Sequence, residues 1–209
     1  MFKGVVFDLD GTLIKWTNSW DVIRARLNLP SGYKELIKEM GYKEAKLREL
    51  EHWKKIGIKK DDVEKALETF ELQEGVKELV PELSKKLATA IITGAPDVIA
   101  LKVGRLLGIE EIYCNGIVLK NGYVDDFILE VNEESKGEKL REFAIKNGLK
   151  EKEIIAVGDA GNDISMFRAA GFSIAFNPKS ERTAKEATIA LNGDFTAIYE
   201  AIENALERR

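Results

Sequence analysis

Along most of the chain, short apolar runs alternate with longer segments in which apolar residues recur at the intervals of a helix. The first run, residues 5–7, is β-branched and aromatic and carries no charge, as in a strand that is buried on both faces of a parallel sheet. From Gly75 onward, helical stretches separate further runs of this kind. These runs predict strands over residues 88–93, 111–115, 153–157, 172–176 and 187–191, with a hairpin turn at Lys120-Asn121-Gly122. Repeated strand–helix units predict an α/β fold, in which helices cover both faces of a parallel sheet.

Residues 16–74 show helical spacing alone. Their first helical stripe has spacings of four, three and four residues and is formed by Trp16, Trp20, Ile23 and Leu27. The capping candidates for this helix are Thr17, Asn18 and Ser19. Pro30-Ser31-Gly32 interrupts the pattern, and three further helical stretches follow. Because no strand pattern occurs in this part of the sequence, we expect an all-helical insertion between the first strand and the rest of the sheet.

The composition of the 209-residue chain suits one core with an insertion. Hydrophobic residues make up 44% of the chain, which is enough for a substantial core, and the net charge of −4 argues against a nucleic-acid partner. The single cysteine, Cys114, excludes an internal disulfide and a thiolate metal cluster and favours a reducing compartment, so we expect a cytoplasmic protein. No apolar run reaches the roughly 18 residues of a membrane span, so we expect no membrane insertion.

Two aspartates, Asp8 and Asp10, follow the first strand directly, and Gly11 ends it. Open α/β sheets bind their ligands at this carboxyl edge. Alternation along a strand aims both side chains the same way, and two like charges held close together repel each other, the more so when they are buried. The pair therefore needs either a cation between its members or a proton on one of them. The alternative is a strand that ends in a solvated Asp-x-Asp-Gly turn.

Three further polar clusters follow predicted strands or begin a helix: Thr93 with Gly94, Lys136 alone, and Asp159 with Asn162 and Asp163. All carboxyl ends of a parallel sheet share one edge, so these clusters could meet the two aspartates in one crevice. Carboxylates are hard ligands that suit Mg²⁺, hydroxyl and N–H groups can hold phosphate oxygens, and an aspartate can act as a nucleophile. Taken singly, Lys136 could be a solvated lysine, Asp163 a helix cap and Thr93 an ordinary strand end.

Together, the clusters resemble the four motifs of the haloacid dehalogenase superfamily in order and in spacing. The matching segments are Asp8-Leu9-Asp10-Gly11-Thr12, Thr93-Gly94, Lys136 and Gly158-Asp159-Ala160-Gly161-Asn162-Asp163. The resemblance implies a Rossmann-like core, residues 1–15 and 75–209, with an inserted all-helical cap of the C1 type, residues 16–74, which we call the cap segment. The core is most similar to that of phosphoserine phosphatases.

The resemblance also implies a role for each motif residue. Asp8 would be the nucleophile and Asp10 the acid and base, while Lys136 would neutralise Asp8. Mg²⁺ would be held by Asp8, the backbone carbonyl of Asp10 and Asp159, with support from Asn162 and Asp163. Phosphate would be bound by Asp8, Thr93, Gly94, Lys136 and Asn162.

These features favour a Mg²⁺-dependent phosphatase, and so a phosphoric monoester hydrolase, that acts on a small-molecule phosphate monoester through an aspartyl-phosphate intermediate. The superfamily's dehalogenases and P-type ATPases lack a carboxylate at the position of Asp10, so this residue indicates phosphate-ester chemistry. Two alternatives are a phosphomutase of the same superfamily, which shares the motifs, and a non-catalytic, phosphate-responsive binding module. The expected partner is a small phosphorylated metabolite, and the expected assembly is a monomer or a homodimer.

We expect the cap segment to choose the substrate through Trp16, Thr17, Trp20 and Arg48. Phosphoserine phosphatases have a glutamate on the first cap helix that receives the serine amino group, and the corresponding position here is Thr17. We therefore expect an enzyme that is not dedicated to phosphoserine. The alternative for the two tryptophans is that they pack in the interior of the cap. The only histidine, His52, is expected at the surface.

Overall fold

Helices and strands alternate along most of the chain. The computed structural model describes residues 1–30 and 32–207; Ser31, which lies in a predicted helix break, is outside the described residues. The strands are β1 Gly4–Phe7, β2 Ala88–Pro96, β3 Glu111–Lys120, β4 Tyr123–Ile128, β5 Ile154–Gly158, β6 Phe172–Phe176 and β7 Ile189–Leu191. The helices are α1 Ser19–Arg26, α2 Tyr33–Met40, α3 Tyr42–Ile56, α4 Lys60–Ala66, α5 Val76–Ser84, α6 Asp97–Leu107, α7 Lys136–Lys146, α8 Ile164–Ala169, α9 Glu181–Glu186 and α10 Phe195–Glu207. Within the described residues, none of these helices has the length and apolarity needed to cross a membrane.

A seven-stranded sheet forms the core, in the order β4-β3-β2-β1-β5-β6-β7. Neighbouring strands are parallel except β3 and β4, which form an antiparallel hairpin. β1 lies between β2 and β5, so that Val6 pairs with Ala90 on one side and Ala156 on the other. The predicted α/β class, a mostly parallel sheet flanked by helices, is confirmed.

Apolar side chains cover both faces of this sheet. Val5 and Phe7 of β1 belong to one buried cluster, which includes side chains of α5, α6 and α10. Val6 belongs to a second cluster with side chains of α7 and α8. All three β1 residues are fully buried. Burial on both faces explains why this strand is an uncharged, β-branched and aromatic run.

Several elements differ in extent from the sequence-based prediction. β3 runs without a break from the parallel sheet into the hairpin, because its second half pairs with β4. α1 begins only at Ser19, since the side chain of Asn18 accepts a hydrogen bond from the N–H of Asp21 and caps the helix there. Trp16 therefore lies before the helix rather than on its stripe. Helix α9 had no predicted counterpart, because its six residues are too short for a clear apolar period.

The described part of the cap segment contains helices α1 to α4 and none of the seven strands. Its two connections to the core run side by side. The N–H of Lys15 donates to the carbonyl of Glu71, and the N–H of Gln73 donates to the carbonyl of Leu13, both at 2.9 Å. The two chain connections between the cap segment and the core therefore form one narrow, hydrogen-bonded pair.

A second contact joins the cap segment to the β3–β4 hairpin. The N–H of Lys60 donates to the carbonyl of Gly122 at 3.0 Å, and the N–H of Val124 donates to the carbonyl of Ile58 at 2.9 Å. The hairpin thus supports the cap segment on the side of the sheet edge where the motif residues lie.

Candidate active site

Three neighbouring strands bring the predicted motif residues to one edge of the sheet. Asp8 follows β1, Asp159 follows β5, and Thr93 lies in the last part of β2. Because β2, β1 and β5 are parallel neighbours, their carboxyl ends lie side by side. Lys136 is the first residue of α7. Lys136 is 0% exposed and Asp8 is 3% exposed, so neither is a solvated surface residue.

The ammonium group of Lys136 lies between two carboxylates. Its Nζ is 2.8 Å from Oδ1 of Asp8 and 2.5 Å from Oδ1 of Asp163. The other oxygen of Asp163 accepts hydrogen bonds from the N–H groups of Asp159 and Ala160, both at 2.9 Å. Burial alone would lower the pKa of Lys136, but Asp163 and Asp8 outweigh it and raise the pKa above its ordinary value. Asp163 therefore both caps a turn and holds a charged lysine.

Three buried carboxylates lie within the dimensions of a metal site. One oxygen from each of Asp8, Asp159 and Asp163 lies within 4.8 Å of the others. Oδ1 of Asp159 makes no hydrogen bond with the described residues, and Oδ1 of Asp8 makes none beyond its ion pair with Lys136. Burial, followed by repulsion from Asp163, raises the pKa of Asp8 to about 8, and burial raises the pKa of Asp159 to about 6 although Lys179 opposes it. Three close, mutually repelling carboxylates, with Oδ1 of Asp159 left without a partner among the described residues, fit a hard divalent cation such as Mg²⁺.

Two glycines permit these carboxylates to come close to the backbone. Gly11 has a φ of +82°, and a Cβ at this position would lie 2.0 Å from Oδ2 of Asp159. A Cβ at Gly158 would lie 2.4 Å from Cγ of Asp163. Any other residue at either position would displace a carboxylate of the cluster, and at Gly11 it would also adopt a strained left-handed conformation.

The carboxylate of Asp10 is held by the first residue of α1. It accepts hydrogen bonds from the N–H of Ser19 at 2.7 Å and from the hydroxyl of the same serine. Burial raises the pKa of Asp10, and the two bonds from Ser19 offset only part of this rise. The sequence analysis treated Ser19 only as a capping candidate, a role that Asn18 fills, and no local pattern shows its contact with Asp10.

The peptide between Gly94 and Ala95 is held at both ends. Its N–H donates to Oγ1 of Thr93 at 3.1 Å. Its carbonyl accepts from the indole Nε1 of Trp20 at 2.8 Å and from Nδ2 of Asn115 at 3.0 Å. Because the hydroxyl oxygen of Thr93 accepts a bond, its own proton stays available for an anion. Asn115, fully buried, was not singled out by the sequence analysis, although a polar residue at the end of a predicted strand was a usable signal.

Lys179 is another residue that the sequence analysis did not single out. Its Nζ lies 2.7 Å from Oδ2 of Asp159 and 3.3 Å from the carbonyl oxygen of Thr17. This lysine therefore contacts a carboxylate of the core and the start of the cap segment at once. It follows β6 closely, so its place after a strand of the parallel sheet was the available signal.

A cavity of about 640 Å³ connects these groups. The sequence-predicted core residues in its wall are Asp8, Asp10, Thr93, Gly94, Lys136, Asp159 and Asn162. The cap segment contributes Thr17, Asn18, Trp20, Ile37, Tyr42 and Lys43, and the chain before α7 adds Val131, Asn132, Glu133 and Glu134. Among the described residues, the share of the wall that belongs to the cap segment contains no carboxylate.

The structure separates the four residues that were expected to contact the substrate. Thr17 and Trp20 lie in the cavity wall, and Trp20 is also buried among aromatic rings. Trp16 is half-buried, packs edge-on against another ring and is not part of the wall. Arg48 is exposed on α3 and lines two other pockets, so the structure does not bring it to the cavity. His52 is half-buried in the same two pockets.

Comparison with known proteins agrees with this geometry. Residues 5–168 match the family model of haloacid dehalogenase-like hydrolases. The chain belongs to this family. This match confirms the superfamily that the motifs indicated.

Similar proteins specify the class of this haloacid dehalogenase-like hydrolase. A phosphoserine phosphatase from Methanocaldococcus jannaschii is 34% identical over 187 residues, which cover 85% of this chain and 86% of that protein. A phosphoserine phosphatase from Archaeoglobus fulgidus is 28% identical over 183 residues; the match covers 84% of this chain and 52% of that protein, so the chain spans about half of its length. A solved structure of a phospho-aspartyl intermediate analogue of phosphoserine phosphatase has a TM-score of 0.83 and 29% identity, and covers 96% of this chain and 98% of that one. These similarities confirm the predicted enzyme class, a phosphoric monoester hydrolase.

Proposed function

We propose that this haloacid dehalogenase-like hydrolase is a Mg²⁺-dependent phosphatase of small-molecule phosphate monoesters, with Asp8 as the nucleophile. The observation that carries the proposal is the buried ion pair of Asp8 and Lys136 beside the cavity. An adjacent ammonium group favours the ionised, nucleophilic form of a carboxylate. The phosphoryl group would move from the substrate oxygen to Asp8, forming an aspartyl-phosphate, and then from Asp8 to water.

We assign to Asp10 the roles of general acid and general base. Its raised pKa, which results from burial, favours the protonated form that can donate to the leaving oxygen of the substrate. The resulting carboxylate would then accept a proton from the water that attacks the aspartyl-phosphate. The two hydrogen bonds from Ser19 support this assignment because they hold the carboxylate in one orientation.

In this proposal Mg²⁺ is held by Asp8, Asp159 and the backbone carbonyl of Asp10, with Asp163 and Asn162 in support. The close approach of the carboxylate oxygens, and the absence of any partner for Oδ1 of Asp159 among the described residues, support such a site. When bound, the cation supplies positive charge that offsets the carboxylates and the phosphate oxygens. It would also oppose the effect of burial on Asp8 and so favour the ionised form of this residue.

The remaining motif residues would bind the phosphate group. Thr93 has a hydroxyl proton to donate, Gly94 a backbone N–H, Lys136 an ammonium group and Asn162 a side-chain amide in the cavity wall. Together with Asp8 as the acceptor of the phosphoryl group, these donors would surround the transferred oxygens.

The substrate would be a small phosphorylated metabolite whose leaving group lies against the cap segment. That part of the wall offers aromatic and aliphatic surface from Trp20, Ile37 and Tyr42, a hydroxyl from Thr17 and one cation from Lys43. The two glutamates of the cavity wall, Glu133 and Glu134, belong to the chain before α7 and not to this part. A leaving group that lies against the described residues of the cap segment therefore meets no carboxylate there, which suits an acid, a sugar or an aryl group better than an amine. Phosphoserine, on which the similar enzymes act according to their names, is therefore the comparison substrate rather than the proposed one.

A hydrolysis screen over many phosphorylated metabolites, with p-nitrophenyl phosphate as the first substrate and Mg²⁺ present, tests this function. Release of inorganic phosphate is the expected result. An isomerised phosphate ester would indicate a phosphomutase instead, and phosphate binding without turnover of any substrate would indicate a binding module. The predicted compartment and the predicted monomer or homodimer stay predictions.

A further inference from the structure

The carbonyl oxygen of Gly94 joins the core to the cap segment. From the core it accepts a hydrogen bond from Asn115 of β3, and from the cap segment it accepts one from Trp20 of α1. A carbonyl oxygen has two lone pairs, so these two donors use its full capacity. Nδ2 of Asn115 also lies 3.2 Å from the hydroxyl of Tyr42, a second contact with the cap segment.

Both partners hold a peptide that directly adjoins two of the proposed phosphate-binding groups, the hydroxyl of Thr93 and the N–H of Gly94. The N–H of Ala95, at the other end of the same peptide, donates to the hydroxyl oxygen of Thr93. Rotation of this peptide would therefore disturb the hydroxyl of Thr93 as well as the carbonyl of Gly94. The bond from Trp20 thus acts on the geometry of the two adjacent residues that we assign to phosphate binding.

The indole ring of Trp20 is itself fixed. Nζ of Lys46 lies 3.3 Å from the ring centroid, and Glu49 holds this ammonium group through a 2.7 Å ion pair. The rings of Trp53 and Phe127 pack against the same indole, with centroids 6.1 and 5.2 Å away. Trp20 is only 4% exposed. Because the ring is held by these contacts, its N–H group keeps one direction as long as the cap segment keeps its place.

We propose that Trp20 is a positioning residue that couples the placement of the cap segment to the phosphate-binding residues Thr93 and Gly94, through the peptide that joins Gly94 to Ala95. The inference rests on the proposed function, since it takes this peptide as part of a phosphate site. With the cap segment placed as it is, the N–H of Trp20 holds this peptide, and through it keeps the adjoining Thr93 and Gly94 oriented for phosphate. By linkage, bound phosphate stabilises this placement of the cap segment to the same extent.

The test compares two tryptophan variants in the same ring cluster. Trp20→Phe keeps an aromatic ring and removes the N–H donor, whereas Trp53→Phe makes a similar change at a residue that is equally buried but is not in the wall of this cavity.

The probe is inorganic phosphate, which carries no leaving group that could contact the cap segment. Its dissociation constant is measured by isothermal titration calorimetry with Mg²⁺ present. Since a neutral hydrogen bond contributes about 0.5–1.5 kcal/mol, we expect Trp20→Phe to raise the dissociation constant of phosphate roughly 3- to 10-fold. Because Trp53→Phe keeps an aromatic ring against the indole and leaves the contacts of Trp20 with Lys46 and Phe127 intact, its dissociation constant should stay within about twofold of the wild type.

A third variant separates the loss of the N–H donor from the change in ring size. Replacing the indole at position 20 by benzothiophene, as the amino acid β-(3-benzothienyl)alanine, keeps the bicyclic ring and removes only the N–H. Phosphate binding should weaken as in Trp20→Phe. Binding like that of the wild type would overturn the inference, as would equal effects of Trp20→Phe and Trp53→Phe.

Kinetics separate this coupling from a simple contact with the substrate. If Trp20 only touches the leaving group, Trp20→Phe should change kcat/KM differently for aryl and alkyl phosphates and leave phosphate binding unchanged, which would also overturn the inference. A wild-type protein that neither hydrolyses phosphate esters nor binds phosphate would overturn the proposed function and this inference with it. An active wild type with unaltered phosphate binding in Trp20→Phe would overturn the inference alone.

Discussion

Ser19 donates two hydrogen bonds to the carboxylate of Asp10, one from its N–H at 2.7 Å and one from its hydroxyl. Ser19 is the first residue of α1 in the cap segment, while Asp10 follows the first strand of the core. The residue to which we assign acid and base catalysis is therefore held by the cap segment. Any change in the position of α1 would alter both the orientation and the acidity of this carboxyl group.

The first prediction concerns this contact. Ser19→Ala removes the hydroxyl bond and keeps the backbone bond, so the pKa of Asp10, which burial already raises, should rise further. The limb of the pH–rate profile that reports Asp10 should move to higher pH. Ser84→Ala is the control, because the hydroxyl of Ser84 bonds within α5 and with Thr89, away from the cavity. Identical profiles for the two variants would contradict the assignment.

The second prediction concerns the nucleophile. Asp8→Asn preserves the shape of the side chain but replaces the carboxylate with a carboxamide, so activity should fall by orders of magnitude while circular dichroism stays native. Asp61→Asn, at an exposed position of α4, should keep wild-type activity. Because about 1.4 kcal/mol corresponds to tenfold in rate, an Asp8→Asn variant that retains more than roughly a tenth of the activity would refute the assignment.

The third prediction concerns the metal. Excess EDTA should abolish hydrolysis and added Mg²⁺ should restore it, while Ca²⁺ should inhibit because its larger and looser coordination would misplace Asp8. A readout that does not require turnover is thermal unfolding. Mg²⁺ should raise the Tm of the wild type, since it relieves carboxylate repulsion, and should raise that of Asp159→Asn much less. Full activity after dialysis against EDTA would exclude the site.

The fourth prediction is that phosphoserine is a poor substrate. The wall contributed by the described cap segment has Thr17 but no carboxylate to pair with an amine. A hydrogen bond to a charged group contributes about 1.5–3 kcal/mol, so kcat/KM for phosphoserine should be roughly 10- to 100-fold below that of the best substrate without an amine. The assay compares phosphoserine with phosphoglycolate, a hexose phosphate and p-nitrophenyl phosphate. A tenfold preference for phosphoserine would show that another residue receives the amine.

A gain-of-function variant complements this comparison. Thr17→Glu should raise the turnover of phosphoserine relative to the other substrates, provided that the carboxylate of the substrate also finds a cation. Arg48 lies outside the cavity wall, whereas Lys43 is part of it. Lys43→Ala in the Thr17→Glu background should therefore cancel the gain, and Arg48→Ala should leave it in place.

The fifth prediction concerns a buried lysine of the cap segment. Burial lowers the pKa of Lys46 to about 7, although Glu49 opposes the change. Between pH 7 and the ordinary value of 10.5, the unfolded chain therefore binds more protons at this residue than the folded protein, and the free energy of unfolding should increase with pH. Below pH 7 the lysine is protonated in both states and contributes no slope.

Urea unfolding of the wild type and of Lys46→Met measures this effect. The free energy of unfolding of the wild type minus that of Lys46→Met should be constant below about pH 7. Above this pH the difference should rise by up to about 1.4 kcal/mol per pH unit. Lys65→Met, at an exposed position of α4, should give no such pH dependence. A difference that is flat from about pH 7 to 9 would show that Lys46 stays charged in the folded protein.

The local pattern of residues was sufficient to determine the fold class and the motif residues of the core. Residues 5–7 are uncharged and β-branched because they are buried on both faces of the sheet, and a run of this kind can be recognised without its partners. Asp8 and Asp159 follow such strands directly, so their place at one edge follows from parallel pairing alone. Lys136 lies 2.8 Å from Asp8 at the same edge, while the roles that the motifs imply for these residues stay predictions.

The contacts between the cap segment and the core were decided only by the tertiary structure. Trp20 and Gly94 are 74 positions apart, and neither residue carries a local signal that the indole of one donates to the carbonyl of the other. The hydrogen bond between Ser19 and Asp10 likewise has no local signal. Nor does the sequence show that Arg48 of α3 lines another pocket and not the cavity. Helical spacing shows which side chains a helix buries but not which element covers them. That choice depends on how the cap segment docks, and docking is set by long-range packing against the hairpin and the sheet edge.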